Sequence, residues 1–440
     1  MVTASPKVIR SWAMYDWANS VYNLVITTTF FPVYYAAITK SAYGEDTVPF
    51  LGRIFKNSAL YNYTVGFSYL LIAILLPILS AISDSRGNKK KFMQFFCYLG
   101  GLGCSGLFFF RGEQPNMWVG LGCFMLAAIG YIGSLVFYNS YLPEIAAPED
   151  RDRISARGYA MGYIGSVIMQ MVGFGLVLYF SGKGDDTSGP LYTFLLVGIW
   201  WIGFAQITFR NLPPSTPSVK KQHNVFTDGF KELKKVWHQL KEIPVLRSFL
   251  GSFFFYSMGV QTVMLAATIF GDRVLGLPAD KLIITVVLIQ IVAIAGAFLM
   301  SNLSEKFGNI QVLLGVVLFW IFLCISAWYV AGVKESGKNV EFHFYGLACA
   351  VGLVMGGIQS LSRSTYSKLM PTTKDTASFF SFYDVTEKIA IVIGMFTFAY
   401  IDELLDMKHS VLSLIVFFAI GFFGLLLTLQ RQRIKKRHAH

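Results

Sequence analysis

Twelve times along this chain an apolar run of about 19–26 residues appears, each long enough to cross the ~30 Å hydrocarbon core of a bilayer. The runs lie near residues 12–36, 60–82, 92–110, 117–141, 158–181, 191–209, 248–270, 282–300, 310–330, 344–364, 378–401 and 411–429. Composition fits no soluble class: only 14% of the residues are charged, where soluble domains carry about a quarter. The expected fold is therefore an all-α integral membrane protein of twelve transmembrane helices.

Lysine and arginine give the orientation. With both termini inside, cytoplasmic segments hold about 25 of the 37 basic residues, and the outer loops hold about ten. That asymmetry also accounts for the net charge of +12 without invoking nucleic acid. The basic start (Lys7, Arg10) runs into the first apolar stretch with no small-residue cleavage site, so that stretch is expected to stay as a helix. Five cysteines lie inside apolar runs at unmatched spacings and read as packing residues, with neither a disulfide framework nor a zinc pattern.

The long polar stretch 211–246 divides the chain into bundles of six helices, 1–210 and 247–440. It opens on Pro213-Pro214 and continues as an amphipathic helix, with Val225, Phe226, Phe230, Leu233, Val236, Trp237 and Leu240 opposite Lys231, Lys234, Lys235 and Lys241. Such a helix is expected on the cytoplasmic membrane surface. The halves repeat. Asp84-Ser85-Arg86-Gly87-Asn88 follows the second run, and Glu305-Lys306-Phe307-Gly308-Asn309 follows the eighth, 221 residues later. Runs four and ten both end in a tyrosine and a Leu-Pro or Met-Pro pair, Tyr138 with Pro143 and Tyr366 with Pro371. Together these point to duplication.

Polar stripes sort the helices. The first carries Asp16, Asn19, Ser20, Asn23 and Thr27 on one face, a costly set inside a membrane unless it faces protein or water. The seventh offers Ser257 and Gln261, the tenth Gln359, Arg363 and Ser367, and the eleventh Asp384, Glu387 and Lys388. Runs three, six, nine and twelve are apolar on nearly every face and read as lipid-facing. At 1.5 Å per residue, Asp16, Arg363 and Asp384 fall roughly 7–13 Å toward the cytoplasmic side of their helix centres. Asn19, Asn23, Glu387 and Lys388 fall nearer the middle. The expectation is an ionic gate of Asp16, Arg363 and Asp384, above a substrate or coupling site of Asn19, Asn23, Gln261, Gln359, Glu387 and Lys388. Structural alternatives are an i,i+4 pair of Asp384 with Lys388, snorkelling of Arg363 to lipid phosphates, and Asp16 serving the amide end of its own helix.

The loop 80–90, with Asp84, Gly87, Lys89 and Lys90, resembles the signature between helices two and three of major facilitator transporters, though Ser80, Ser85 and Asn88 depart from it. More specifically, Tyr15-Asp16-Trp17-Ala18-Asn19-Ser20, the run Gly356-Gly357-Ile358-Gln359-Ser360-Leu361-Ser362-Arg363-Ser364 and Phe379-Phe380-Ser381-Phe382-Tyr383-Asp384 resemble the vacuolar, autophagy-related effluxer-like family and its bacterial members. The resemblance covers essentially the whole chain. It implies two pseudo-symmetric six-helix halves, alternating access, a peripheral third helix in each triplet, and amino acids as the leading substrate. It also implies that Asp84 and Gly87 gate, since the equivalent acid meets the eleventh helix in facilitators; Glu305 would be the weaker counterpart. The bacterial plasma membrane, or a vacuolar membrane in a eukaryote, is the expected location.

A zwitterionic amino acid needs a cation for its carboxylate, here Arg363 or Lys388, and an acceptor for its ammonium, here Asp16, Asn23 or Glu387. Protons are a candidate coupling ion, through Asp16, Asp384 or Glu387. A sugar or other small-metabolite facilitator is the alternative in the same class. A non-transporting sensor keeps the same fold. A lipid-active membrane enzyme would need the acids of 148–153 to hold magnesium, yet no second acidic cluster, histidine pair or nucleophile–base set accompanies them. No cofactor, metal or catalytic residue is expected.

Overall fold

The structure, a computed structural model, describes residues 2–44, 47–215 and 225–437. Its helices are α1 (Pro6–Tyr43), α2 (Asn57–Arg86), α3 (Lys89–Phe109), α4 (Met117–Ser140), α5 (Arg151–Ser181), α6 (Ser188–Asn211) and α7 (Val225–Glu242). There follow α8 (Pro244–Arg273), α9 (Ala279–Phe307), α10 (Asn309–Glu335), α11 (Glu341–Leu369), α12 (Thr376–Leu404) and α13 (Met407–Arg437). Between α1 and α2 sits a hairpin of β1 (Thr47–Phe50) and β2 (Arg53–Lys56), antiparallel in the register Thr47↔Lys56. Among the described residues, 11 helices are long and apolar enough to cross a membrane. At 29 residues α12 has the length, but every 18-residue stretch of it holds Glu387 and Lys388 with either Asp384 or Asp402.

Two compact units form. One comprises Ala4–Ser140 and Met161–Gly229; the other gathers Tyr141–Ala160 with Phe230–His440 and the first three residues. The segment Tyr141–Ala160, which precedes the long polar stretch in sequence, thus packs with the later helices.

In the first unit α1 is not a regular helix. Tyr22–Phe30 is π-helical, and the Phe31 amide donates to the Ile26 carbonyl. In this i→i−5 pattern the next donor would be residue 32, a proline with no N–H. The Thr27 carbonyl it leaves behind accepts from the Tyr61 hydroxyl at 3.3 Å. The Leu24 carbonyl accepts from Thr28, Thr29 and the Gln170 amide at 2.8–2.9 Å. Glycines let α3 and α4 pack backbone to backbone: a Cβ on Gly130 would collide with the main chain of Gly100. Asp185, before α6, accepts bonds from Ser188 and Thr187, which hold its carboxyl down to a pKa of about 2.

The second unit uses the same device between α9 and α11, where a Cβ on Gly296 would strike the Leu353 carbonyl and one on Gly352 the Ile289 carbonyl. A space of about 60 Å³ lies among α8 to α13, but its walls, including Ala266, Phe270, Trp320, Phe344 and Val351, offer a polar solute nothing to bind. The described part of α7 packs on protein: Val236 and Leu240 are buried, Trp237 lies 5.7 Å from the Phe382 ring, and Lys235 pairs with Asp375 at 2.8 Å. Trp237 is nevertheless 48% exposed, so part of the apolar face of α7 stays open. The preceding segment 216–224, and the side chains of Val225, Phe226, Phe230 and Leu233, lie outside the described residues.

Exposure does not single out α3, α6, α10 and α13 as the lipid-facing set. The most apolar window of α10 is 50% buried, whereas that of α2 is 33% buried. A helix lining a cleft exposes one face to it and another to lipid, so total exposure cannot separate the two kinds.

Candidate functional site

In the second unit a narrow cleft of about 10 Å³ is walled by α8, α11 and α12, with Tyr256, Ser257, Gln261, Gln359, Ser362 and Glu387 among its lining residues. The 3.6-residue period puts Glu387 on the same face of α12 as Tyr383 and Asp384. Glu387 accepts the Gln261 amide at 3.1 Å through Oε1 and pairs with Lys388 at 2.7 Å through Oε2. The ion pair is mostly buried, with side-chain exposures of 9% for Lys388 and 18% for Glu387. Such a pair is costly to desolvate and offsets that cost only when its lone pairs and protons are used. The Gln261 bond supplies one such use. Higher in the cleft, Ser362 donates to the Ile358 carbonyl at 2.6 Å, which leaves the Tyr256 hydroxyl to donate to Ser362 at 2.7 Å. Gln359 donates to the thioether of Met264 at 3.3 Å, a weak acceptor that a better ligand would displace.

About one turn beyond Gln359, Arg363 is 1% exposed. Its Nε donates to the Ser155 hydroxyl at 2.9 Å, its Nη2 donates to the Ser155 carbonyl at 2.8 Å, and its guanidinium lies 4.3 Å from the Tyr159 ring centre. This arginine does not snorkel to lipid; it is bound to α5. Three further contacts tie the same segment to α11 and α12. Arg151 donates to the Ser367 carbonyl at 2.7 Å. Thr376 donates to Glu144 at 2.7 Å. Asp152, 1% exposed, accepts from Ser304 at 2.8 Å, Asn309 at 2.7 Å and the Lys368 ammonium at 2.5 Å. Asp384 is also buried, at 3%.

Two of the three acids of 148–153 are thus engaged by cations and hydroxyls: Asp150 holds Arg153 and Thr3, and Asp152 holds Lys368. Among the described residues no group of three or more His, Cys, Asp and Glu side chains could hold a metal. Glu305 is exposed, and the buried acid beside the α9–α10 junction is Asp152. In the sequence Asp152 reads only as one of the acids of 148–153; its place two positions into a membrane helix, between two arginines, is the signal that sets it apart.

The remaining candidates belong to the first unit. Asp16 is buried and accepts from Tyr138 at 2.7 Å, while Tyr138 stacks on Trp12 at 4.4 Å. It sits eleven residues into α1, beyond the reach of that helix's free amides. Asn19 is fully buried; its amide oxygen lies 3.4 Å from Ser20, and among the described residues its Nδ2 has no partner. Asn23 is half-buried, one residue into the π-helical stretch. Asp84 is buried, with the Lys89 ammonium 3.9 Å away. Gly87, at φ 67°, ends α2 in the left-handed conformation, and Ser215 donates to its carbonyl at 2.7 Å. The other junction also turns on a glycine of positive φ, Gly308 at 87°.

A bundle of long apolar helices that keeps an acid, a base and amides in a narrow interior cleft is built as a membrane transporter of the major facilitator class. Solved structures agree on the fold. The human organic anion transporter MFSD10 superposes with a TM-score of 0.70 at 12% identity, covering 96% of this chain and 100% of that one. The facilitator FucP in its outward conformation superposes at 0.69, with 14% identity and coverages of 96% and 98%. Residues 4–439 match the family described as "Vacuole effluxer Atg22 like", and the chain belongs to that family. The MFS-type transporter YxiO of Bacillus subtilis (strain 168) is 32% identical over 96% of this chain and 94% of its own length. Autophagy-related protein 22 of Saccharomyces cerevisiae (strain YJM789) is 24% identical over 96% and 89%. The chain is a multi-pass membrane transporter and not an enzyme.

Proposed function

We propose that this transporter moves amino acids by alternating access, with the cleft of Gln261 and Glu387, and Lys388 beside it, as its binding and coupling site. The observation that carries this reading is the Glu387–Lys388 pair, a carboxylate and an ammonium 2.7 Å apart inside a membrane helix, with Glu387 on the wall of one small cleft. A zwitterionic solute carries the same two groups, so it could exchange partners with the pair without leaving a buried charge alone. Protonation of Glu387 would release Lys388 and the Gln261 amide, which supplies a route for proton coupling. Asn19 and Asn23 are the candidate substrate contacts within the first unit, and Asp16, Arg363, Asp384, Asp84 and Gly87 the candidate gating residues. Twelve spans, six on each side of 211–246, with both termini cytoplasmic, complete the proposed topology. The length of α12 and the lysine and arginine distribution support it.

The test is uptake of labelled leucine and tyrosine into proteoliposomes, with and without a pH gradient. Amino-acid flux is expected; flux of other solutes with none for amino acids would end the proposal. The hydroxyls of Tyr256, Ser257 and Ser362 in the same cleft favour a second reading, a sugar. FucP is a fucose:proton symporter, and XylE a proton:xylose symporter. Labelled fucose and xylose in the same vesicles distinguish the two.

A further inference from the structure

Where α9 meets α10 in the second unit, a cleft of about 380 Å³ opens toward the end of α11 and the tail of α13. Lys306, Gln311, Lys368 and Gln432 line it, and no carboxylate does. Lys306 is exposed and makes no hydrogen bond or ion pair among the described residues. Lys368 spends two of its three ammonium protons, on Asp152 Oδ2 at 2.5 Å and on Asn309 Oδ1 at 3.1 Å, and keeps a third. The wall between the lysines is the start of α10, capped by no side chain because Gly308 stands at its N-cap. Its first amides therefore add partial positive charge to the same space. Phe307, 62% exposed, supplies an apolar rim beside Lys306.

Two ammonium groups and a free helix start around a space this large suit a tetrahedral oxyanion with a substituent attached. We propose that this cleft binds a phosphate group, either the headgroup of an anionic phospholipid or a free phosphate. The site is separate from the Gln261–Glu387 cleft and does not depend on what that cleft carries. A bound phosphate would compete with Asp152 for Lys368, the ammonium that ties α5 to α11, so occupancy would bear on how firmly Tyr141–Ala160 is held.

The test is thermal unfolding of the purified full chain with inorganic phosphate, with dioctanoyl phosphatidylglycerol, and with dioctanoylglycerol, which has the same acyl chains and no phosphate. Stabilisation by phosphatidylglycerol alone would mark a lipid headgroup site; stabilisation by inorganic phosphate as well would mark a site for the group itself. In either case Lys306→Gln should weaken the apparent affinity about tenfold, as expected for a hydrogen bond to a charged group. Lys338→Gln, an exposed lysine at the other end of α10, should leave it unchanged. Stabilisation by neither phosphate probe, equal stabilisation by dioctanoylglycerol, or affinity unaltered by Lys306→Gln would overturn the proposal. Lys306 is exposed, so its replacement is not expected to impair folding.

Discussion

Asp152 shows how much one side chain holds in this molecule. It is buried with three partners, so Asp152→Asn should remove the ion pair while leaving the shape. Lys368 keeps 25% side-chain exposure and can recover part of its hydration. The expected loss is accordingly about 2 kcal/mol, below the 3–5 kcal/mol of a fully buried pair, read from denaturant or thermal midpoints in detergent. The double variant Asp152→Asn with Lys368→Met should lose less than the sum of the two singles, because no charge is then left without its partner. Strict additivity would show that the pair contributes nothing. Arg363→Gln makes a different claim: it should abolish transport while the protein still expresses and unfolds cooperatively, and unchanged transport would remove Arg363 from the mechanism.

Among the elements, α1 and its π-helical stretch are the least regular. Tyr61→Phe would leave the Thr27 carbonyl without its donor, at a cost of about 1 kcal/mol. Pro32→Ala restores the missing N–H, so it should allow the regular i→i−4 ladder and slow amide exchange across residues 22–32. Exchange unchanged by Pro32→Ala would place the cause of the π geometry in Gln170 and Thr29 instead. Close helix packing gives a second test: Gly130→Val should disrupt the α3–α4 contact and lower the yield of folded protein. The same change at Gly122, which faces open space, should be tolerated. Helix positions were legible in the sequence because twenty apolar residues in a row have few other uses. The π stretch was not, since its cause is a long-range bond from Gln170 together with a proline that hydropathy does not weigh.

Across the whole molecule, family and fold followed from the run lengths and from motifs such as Tyr15–Ser20, which the comparisons with relatives bear out. The grouping of Tyr141–Ala160 with the later helices was hidden, because it rests on Arg151, Asp152 and Ser155 meeting residues more than 150 positions away. Sequence periodicity reports which face a residue takes, not which helix that face will meet. Gln261, Gln359, Glu387 and Lys388 were each marked by polarity within an apolar run, but only the folded chain shows the first three lining one cleft, with Lys388 paired to Glu387.

The most direct test of that cleft is proton-driven uptake of labelled leucine into proteoliposomes by the wild-type chain and by Glu387→Gln. Gln keeps the size of the side chain and its bonding to Gln261, but it removes the charge that holds Lys388. The account predicts uptake that follows an imposed pH gradient in the wild type, and a folded Glu387→Gln variant that no longer responds to the gradient. Equal gradient-driven uptake by both proteins would contradict it.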